Sequence, residues 1–210
     1  MASRATAARA PKPLEIETPH GPARAHLHAV EEPVGALLLG HGANGRVDAP
    51  DLVAVTGAAN SVGVTVVLVE QPYRVAGRGS SPAAPKLDAA WNAVAEHLAG
   101  NELRGLPLIA GGRSAGARVA CRTATESGAA AVLCLAFPLH PPGRPEKSRQ
   151  AELDAVDVPT LVVQGDSDPF GMPRPNAAGK VVTVPGNHGL KKDLDAVSAA
   201  VRDWLPSVLG

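Results

Sequence analysis

Residues 106–120 read LPLIAGGRSAGARVA: an apolar run closing on two glycines, then a serine, then small and apolar residues of helical character. Within them, Gly112-Arg113-Ser114-Ala115-Gly116 forms a G-x-S-x-G at the junction of a strand and a helix. That setting gives the motif a mechanism. A serine in a sharp strand-to-helix turn sits in a strained backbone region, with its hydroxyl lifted clear of the sheet near the positive end of the helix. Glycines two positions before and after it let neighbouring backbone pass without collision. In a chain with 22 glycines the motif alone arises easily by chance, so the strand and helix around it carry the weight.

Outward from this elbow the pattern repeats. The short apolar runs GALLLG (35–40), VTVVLVE (64–70), LPLIAGG (106–112), AVLCLAF (131–137), PTLVVQG (159–165) and KVVTVPG (180–186) each lead into Gly or Pro. Continuous apolarity is what a strand covered on both faces needs. Between the runs lie segments able to form helices, at 50–61, 83–99, 115–126, 146–156 and 193–206. Leu87, Ala90, Trp91, Val94 and Leu98 recur in steps of three and four, as do Leu194, Val197, Val201 and Leu205, giving each helix one apolar face. Alternating strands and helices predict a mostly parallel sheet with helices on both faces. The segment ARAHLHAV (23–30) alternates polar and apolar residues, predicting a half-exposed antiparallel edge strand at the N-terminal end of the fold. The organisation expected is a loose tail over 1–12 followed by a single domain over 13–210, with no room for a large lid.

A serine hydroxyl becomes a useful nucleophile only when a base takes its proton, and that base must be oriented by a third group. Both partners are expected in loops after late strands. PTLVVQG runs into Asp166-Ser167-Asp168-Pro169-Phe170-Gly171, and KVVTVPG runs into Asn187-His188-Gly189. The order Ser114, Asp168, His188 is the one this arrangement requires. Among the seven histidines only His188 follows the last strand directly, and His140, after the run at 131–137, is the next candidate. Asp166 and Asp168 both reach the same loop. Pro169 extends the backbone just past Asp168, which favours Asp168 as the acid and leaves Asp166 to cap a turn.

Acyl transfer also needs donors for a negative oxygen. The backbone N–H of Ala115 is one candidate. The loop Gly40-His41-Gly42-Ala43-Asn44-Gly45 offers the second through Ala43, with His41 as a structural support rather than a second base. The loop matches neither a phosphate-binding nor a dinucleotide-binding glycine pattern. Arg118, one turn after Ser114, is read either as an anchor for an anionic substrate or as a salt-bridged helix residue.

Composition narrows the function classes. Lys and Arg number 20 against 20 Asp and Glu, so the chain lacks the basic excess of a nucleic-acid binder. Aromatics make up only 2%, leaving little stacking surface for bases or sugars. Cys121 and Cys134 form neither a disulfide framework nor a metal-ligand pair, and read as two buried thiols of a cytoplasmic protein. The N-terminal MASRATAARAPKP has no apolar core behind its charges, so it is not read as a secretory signal, and no apolar run is long enough for a bilayer. No cofactor, metal, nucleic acid or membrane is expected, only a small acyl substrate.

Taken together, GALLLGHGANG, GGRSAGAR, LVVQGDSDPFG and PGNHGL resemble the α/β-hydrolase superfamily over nearly everything after the tail. The likeness is greatest to a small, lidless branch that includes testis-expressed protein 30 and the hydrolase-like domain of a histone-acetyltransferase complex subunit. The resemblance implies an α/β-hydrolase fold and a triad of Ser114, Asp168 and His188, and it supports Asp168 over Asp166 because DPFG is the matching part. Ala115 stands where that branch carries a larger residue, which implies a wider pocket wall. The expectation is a serine hydrolase, of carboxylesterase type, acting on a carboxylic ester or related acyl bond. Two alternatives stand beside it: an interaction module of the same fold without turnover, and a dienelactone-hydrolase-type enzyme, which would ordinarily carry Cys in place of Ser114.

Overall fold

The computed structural model describes residues 13–210. The expected tail over 1–12 lies outside them. In chain order the elements are β1 (Leu14–Ile16), β2 (Ala23–His28), β3 (Gly35–Gly40), α1 (Pro50–Asn60), β4 (Val64–Glu70), α2 (Pro72–Val75), α3 (Ala84–Gly100), β5 (Leu108–Arg113) and α4 (Ala115–Thr123), followed by β6 (Ala131–Leu135), α5 (Gln150–Asp154), β7 (Thr160–Gly165), β8 (Gly179–Val184), α6 (Leu194–Trp204) and α7 (Pro206–Leu209). The strands form one sheet in the order β1-β2-β4-β3-β5-β6-β7-β8. β1 and β2 pair antiparallel, as do β2 and β4, and every pairing from β4 to β8 is parallel. This is the α/β-hydrolase arrangement, and no large lid lies over it.

The apolar runs of β3 to β7 behave as doubly covered strands must, whereas the run at 180–186 forms β8 at the far edge of the sheet, where it pairs on one side only and is partly exposed. All six residues of β3 are buried, and successive ones face opposite layers. Leu38 packs with Trp91, Leu98 and Phe137 on one side, while Leu37 and Leu39 pack with Leu52, Leu133 and Trp204 on the other. Helices α3 and α4 cover the first side, and α1 and α6 the second. At roughly 1.5–3 kcal/mol for each fully buried large apolar side chain, these two layers are the main favourable contribution to stability. Among the described residues no helix is long and apolar enough to cross a membrane.

One expectation about the sheet needs correction. β2 is not its edge, because the three-residue β1 pairs outside it, with Leu14 opposite Ala25. The short helices α2 and α7 each open on a proline and were not foreseen; a helix of four residues has no periodicity to read. The helix expected over 146–156 shrinks to Gln150–Asp154, since turns and bends occupy the Pro-containing stretch before it. Cys121 and Cys134 are both free and buried, as expected, and their Sγ atoms lie 3.4 Å apart. Contact with the Cys121 side chain, reinforced by burial, pushes the Cys134 thiol well above the usual range.

Candidate active site

Ser114 stands at the carboxyl end of β5, where the chain turns into α4. Its backbone lies at φ 53°, ψ −109°, a region that side-chain-bearing residues avoid and that costs on the order of 1–3 kcal/mol. Its N–H donates to Leu135 O at 2.9 Å, pinning the turn to the neighbouring β6. The flanking glycines have a steric reason. A Cβ on Gly112 would sit 2.6 Å from the carbonyl carbon of Gly116 and 2.7 Å from Gly40 O. One on Gly116 would run into the Gly40 carbonyl. The elbow therefore closes against the end of β3 only because both positions lack a side chain.

From Ser114 a chain of hydrogen bonds crosses the end of the sheet. The Ser114 hydroxyl donates to His188 Nε2 at 2.8 Å, and His188 Nδ1–H donates to Asp168 Oδ2 at 2.8 Å. Residues 74 and 20 positions apart are brought together because β5, β7 and β8 end on one edge of the parallel sheet. The Asp168 carboxylate is almost fully covered, at 1% side-chain exposure, and is held on both oxygens. Phe170 N–H donates to Oδ1 at 2.8 Å, and Gln164 Nε2 donates to Oδ2 at 2.9 Å. The Phe170 ring stacks on the imidazole with centroids 4.0 Å apart. Asp166 points elsewhere: it is exposed and accepts from Gly186 N–H, a contact that pulls its carboxyl below the ordinary range. His140 is tied to Pro141 O and packs against Gly171.

The glycine-rich loop after β3 lies against the nucleophile, where a Cβ on Gly42 would meet Ser114 Cβ at 3.7 Å. The N–H groups of Ala43 and Ala115 meet no protein acceptor among the described residues, and Ala115 opens α4, whose first turn leaves such donors unbonded. Two side chains fix the loop. Buried His41 donates from Nδ1 to Gly42 O at 2.7 Å and accepts Gln71 N–H at Nε2, and burial lowers its pKa, keeping it neutral. The Tyr73 hydroxyl donates to Ala43 O. His41 is thus the structural support expected of it.

The structure decides between the two roles that the sequence left open for Arg118. Arg118 makes a two-pronged pair with Glu152, which Arg122 and Asp88 extend, so it is a salt-bridged helix residue and not a free anion anchor. Arg113 joins three parts of the site. Its Nε lies 2.7 Å from Oδ2 of Asp51, at ion-pair distance though outside hydrogen-bond geometry, and one terminal nitrogen donates to His188 O at 3.0 Å. The other terminal nitrogen stands against Gly42. Asp51, at the start of α1, is completely buried, and that burial pushes its carboxyl up, with Arg113 pulling the other way. Neither Asp51 nor Gln164 was singled out in the sequence: Asp51 meets Arg113 from a distant part of the chain, and Gln164 reads as one amide at the end of an apolar strand.

Residues 33–190 match the alpha/beta hydrolase domain family. The chain belongs to that family. No curated protein matches it. Solved structures share the fold of this alpha/beta hydrolase domain at low identity. An α/β serine hydrolase without lid from Xanthomonas campestris is 20% identical, with a TM-score of 0.72, covering 93% of this chain and 93% of its own. Est1E from Butyrivibrio proteoclasticus is 19% identical at a TM-score of 0.76, over 95% of this chain and 99% of its own. A dienelactone hydrolase from Anabaena variabilis is 18% identical at 0.76, over 96% of this chain and 100% of its own.

Proposed function

We propose that this alpha/beta hydrolase domain is a serine hydrolase that cleaves a carboxylic ester or related acyl bond of a small soluble substrate. The reading rests on one observation, the unbroken relay from the Ser114 hydroxyl through His188 to the covered Asp168 carboxylate. Ser114 Oγ attacks the acyl carbon as its proton passes to His188 Nε2. The tetrahedral oxyanion is received by the N–H groups of Ala115 and Ala43, each such donor being worth about 10²–10³ in rate. Collapse expels the alcohol, which takes the proton from His188, and leaves Ser114 acylated. Water then loses a proton to His188, attacks the acyl-enzyme and releases the acid. Asp168 holds the imidazole in the tautomer that presents Nε2 to the serine and stabilises the imidazolium. The GHGA, GGRS and DPFG loops extend the proposal to the lidless branch that includes testis-expressed protein 30.

The test is a fluorophosphonate probe with the adduct mapped by mass spectrometry. Labelling at Ser114, abolished by Ser114→Ala and much reduced by His188→Ala, supports an activated serine. A folded protein that resists the probe overturns the reading and favours a binding module built on the same fold.

A further inference from the structure

We propose that the cavity beyond the end of β4 receives a carboxylate carried by the substrate, an inference that builds on the serine hydrolase reading. The cavity has a volume of about 540 Å³ and is framed by α2, the loop into α3, and the turn between β1 and β2. Arg78, Lys86 and His20 line it, and no Asp or Glu does. Arg78 and Lys86 are exposed and, like several other surface cations, make no ion pair among the described residues; at this cavity they stand together with no acid beside them. Their positive charge is therefore accessible to an anion entering the cavity.

The cavity lies beside the site. Gln71 and Tyr73 line it and line the narrow gap that reaches His41 and Ala115, so the two spaces share a wall. Gln71 is 6% exposed, and its amide nitrogen donates to Leu87 O while Oε1 has no partner. Oε1 is itself covered, so Gln71 closes the wall between the two spaces and does not present an acceptor to the cavity. The recognition falls to Arg78 and Lys86, two cations with no acid beside them, which suit a carboxylate on a small acyl substrate. Tyr73 carries the contact onward, since its hydroxyl holds the carbonyl of Ala43.

The test compares esters closely matched except in charge: 4-nitrophenyl hemiglutarate against 4-nitrophenyl valerate for the acyl side, and 4-carboxyphenyl butyrate against 4-carbamoylphenyl butyrate for the alcohol side. Two solvent-accessible cations predict a kcat/KM advantage of about tenfold for the charged member of one pair. The advantage falls close to unity in Arg78→Ala/Lys86→Ala and in about 1 M salt, where the screening length is about 3 Å. Binding of glutarate monobenzyl ester to Ser114→Ala protein, followed by calorimetry, should weaken by a similar factor when Arg78 and Lys86 are also replaced. This second arm does not depend on turnover. A labelled Ser114 with no charge preference in either pair, or a preference that survives the double variant, overturns the carboxylate site and leaves the hydrolase reading intact. Absent labelling with unchanged binding removes both.

Discussion

Arg113→Ala should unmask the buried charge that the wild-type protein compensates. Asp51 has no solvent exposure, and Arg113 is its cationic partner. Removing one partner of a buried pair costs about 3–5 kcal/mol, because the other is left charged and uncovered. For a domain of this size each kcal/mol moves the melting temperature by about 2–4 °C, so the variant should melt roughly 6–20 °C below wild type. The deficit has a signature in pH. Burial already raises the Asp51 carboxyl above its ordinary value of 3.8, and the guanidinium opposes that rise. A group whose folded pKa is raised contributes stability that is complete below the unfolded value and is lost as pH rises through the folded one. Losing Arg113 moves the folded value higher still, so the deficit should be widest near about pH 8 and should narrow towards about pH 5, as Asp51 takes up its proton. Thermal unfolding followed by circular dichroism across that range measures it directly. Asp51→Asn in the Arg113→Ala background should recover at least about half of the loss, since an amide carries no charge to strand. A drop of less than about 3 °C that is flat with pH and not rescued by the second change would refute the buried-pair reasoning.

Other substitutions probe the placement of the site. Gly165→Ala would set a methyl group 2.7 Å from Asn187 O and closer still to Gly186 O, displacing the loop that carries His188. The expected loss is about 10²-fold in kcat/KM with a smaller change in melting temperature, measured on a 4-nitrophenyl ester. Gln164→Leu removes the donor shared by Asp168 Oδ2, Phe137 O and Gly171 O. Urea unfolding should register a cost of about 1–3 kcal/mol, and the rate should fall about tenfold. Gly116→Ala drives a Cβ into the backbone of Gly40, which cannot swing aside as a side chain could, and should cost more than about 3 kcal/mol by the same measurement. Cys121 and Cys134 should react with a thiol reagent only after denaturation, because both are buried.

Much of this was legible in the sequence, for reasons that differ from element to element. β3 to β7 stood out because they are covered on both faces and must be apolar nearly throughout, and β8, only partly covered at the sheet edge, stood out through Val181, Val182 and Val184. Ser114, Asp168 and His188 could be found because each lies just after a strand end, and a parallel sheet gathers those ends on one edge. β1 was invisible. Three residues carry no periodicity, and only the pairing with β2 defines them. The partner of Arg118 was equally hidden, since Glu152 arrives from another helix, 34 residues away. Gln164 sits in a strand that reads as ordinary apolar sequence apart from one amide, and its three acceptors come from two stretches of chain, Phe137 after β6 and the loop of Asp168 and Gly171 after β7.

The division of the core into two layers has a spectroscopic consequence. The chain holds two tryptophans, and the sheet separates them: Trp91 is buried on the inner face of α3, and Trp204 is buried at the end of α6 on the opposite face. Trp91 also borders the narrow gap beside Ala115. Replacing either indole by phenylalanine leaves a single intrinsic fluorophore that reports on one half of the molecule. Emission from the Trp204→Phe protein would follow the half next to the nucleophile, and emission from Trp91→Phe the half packed under α1 and α6. Coincident denaturant transitions in the two proteins would show that both halves melt as one cooperative unit, whereas separated transitions would reveal which half gives way first.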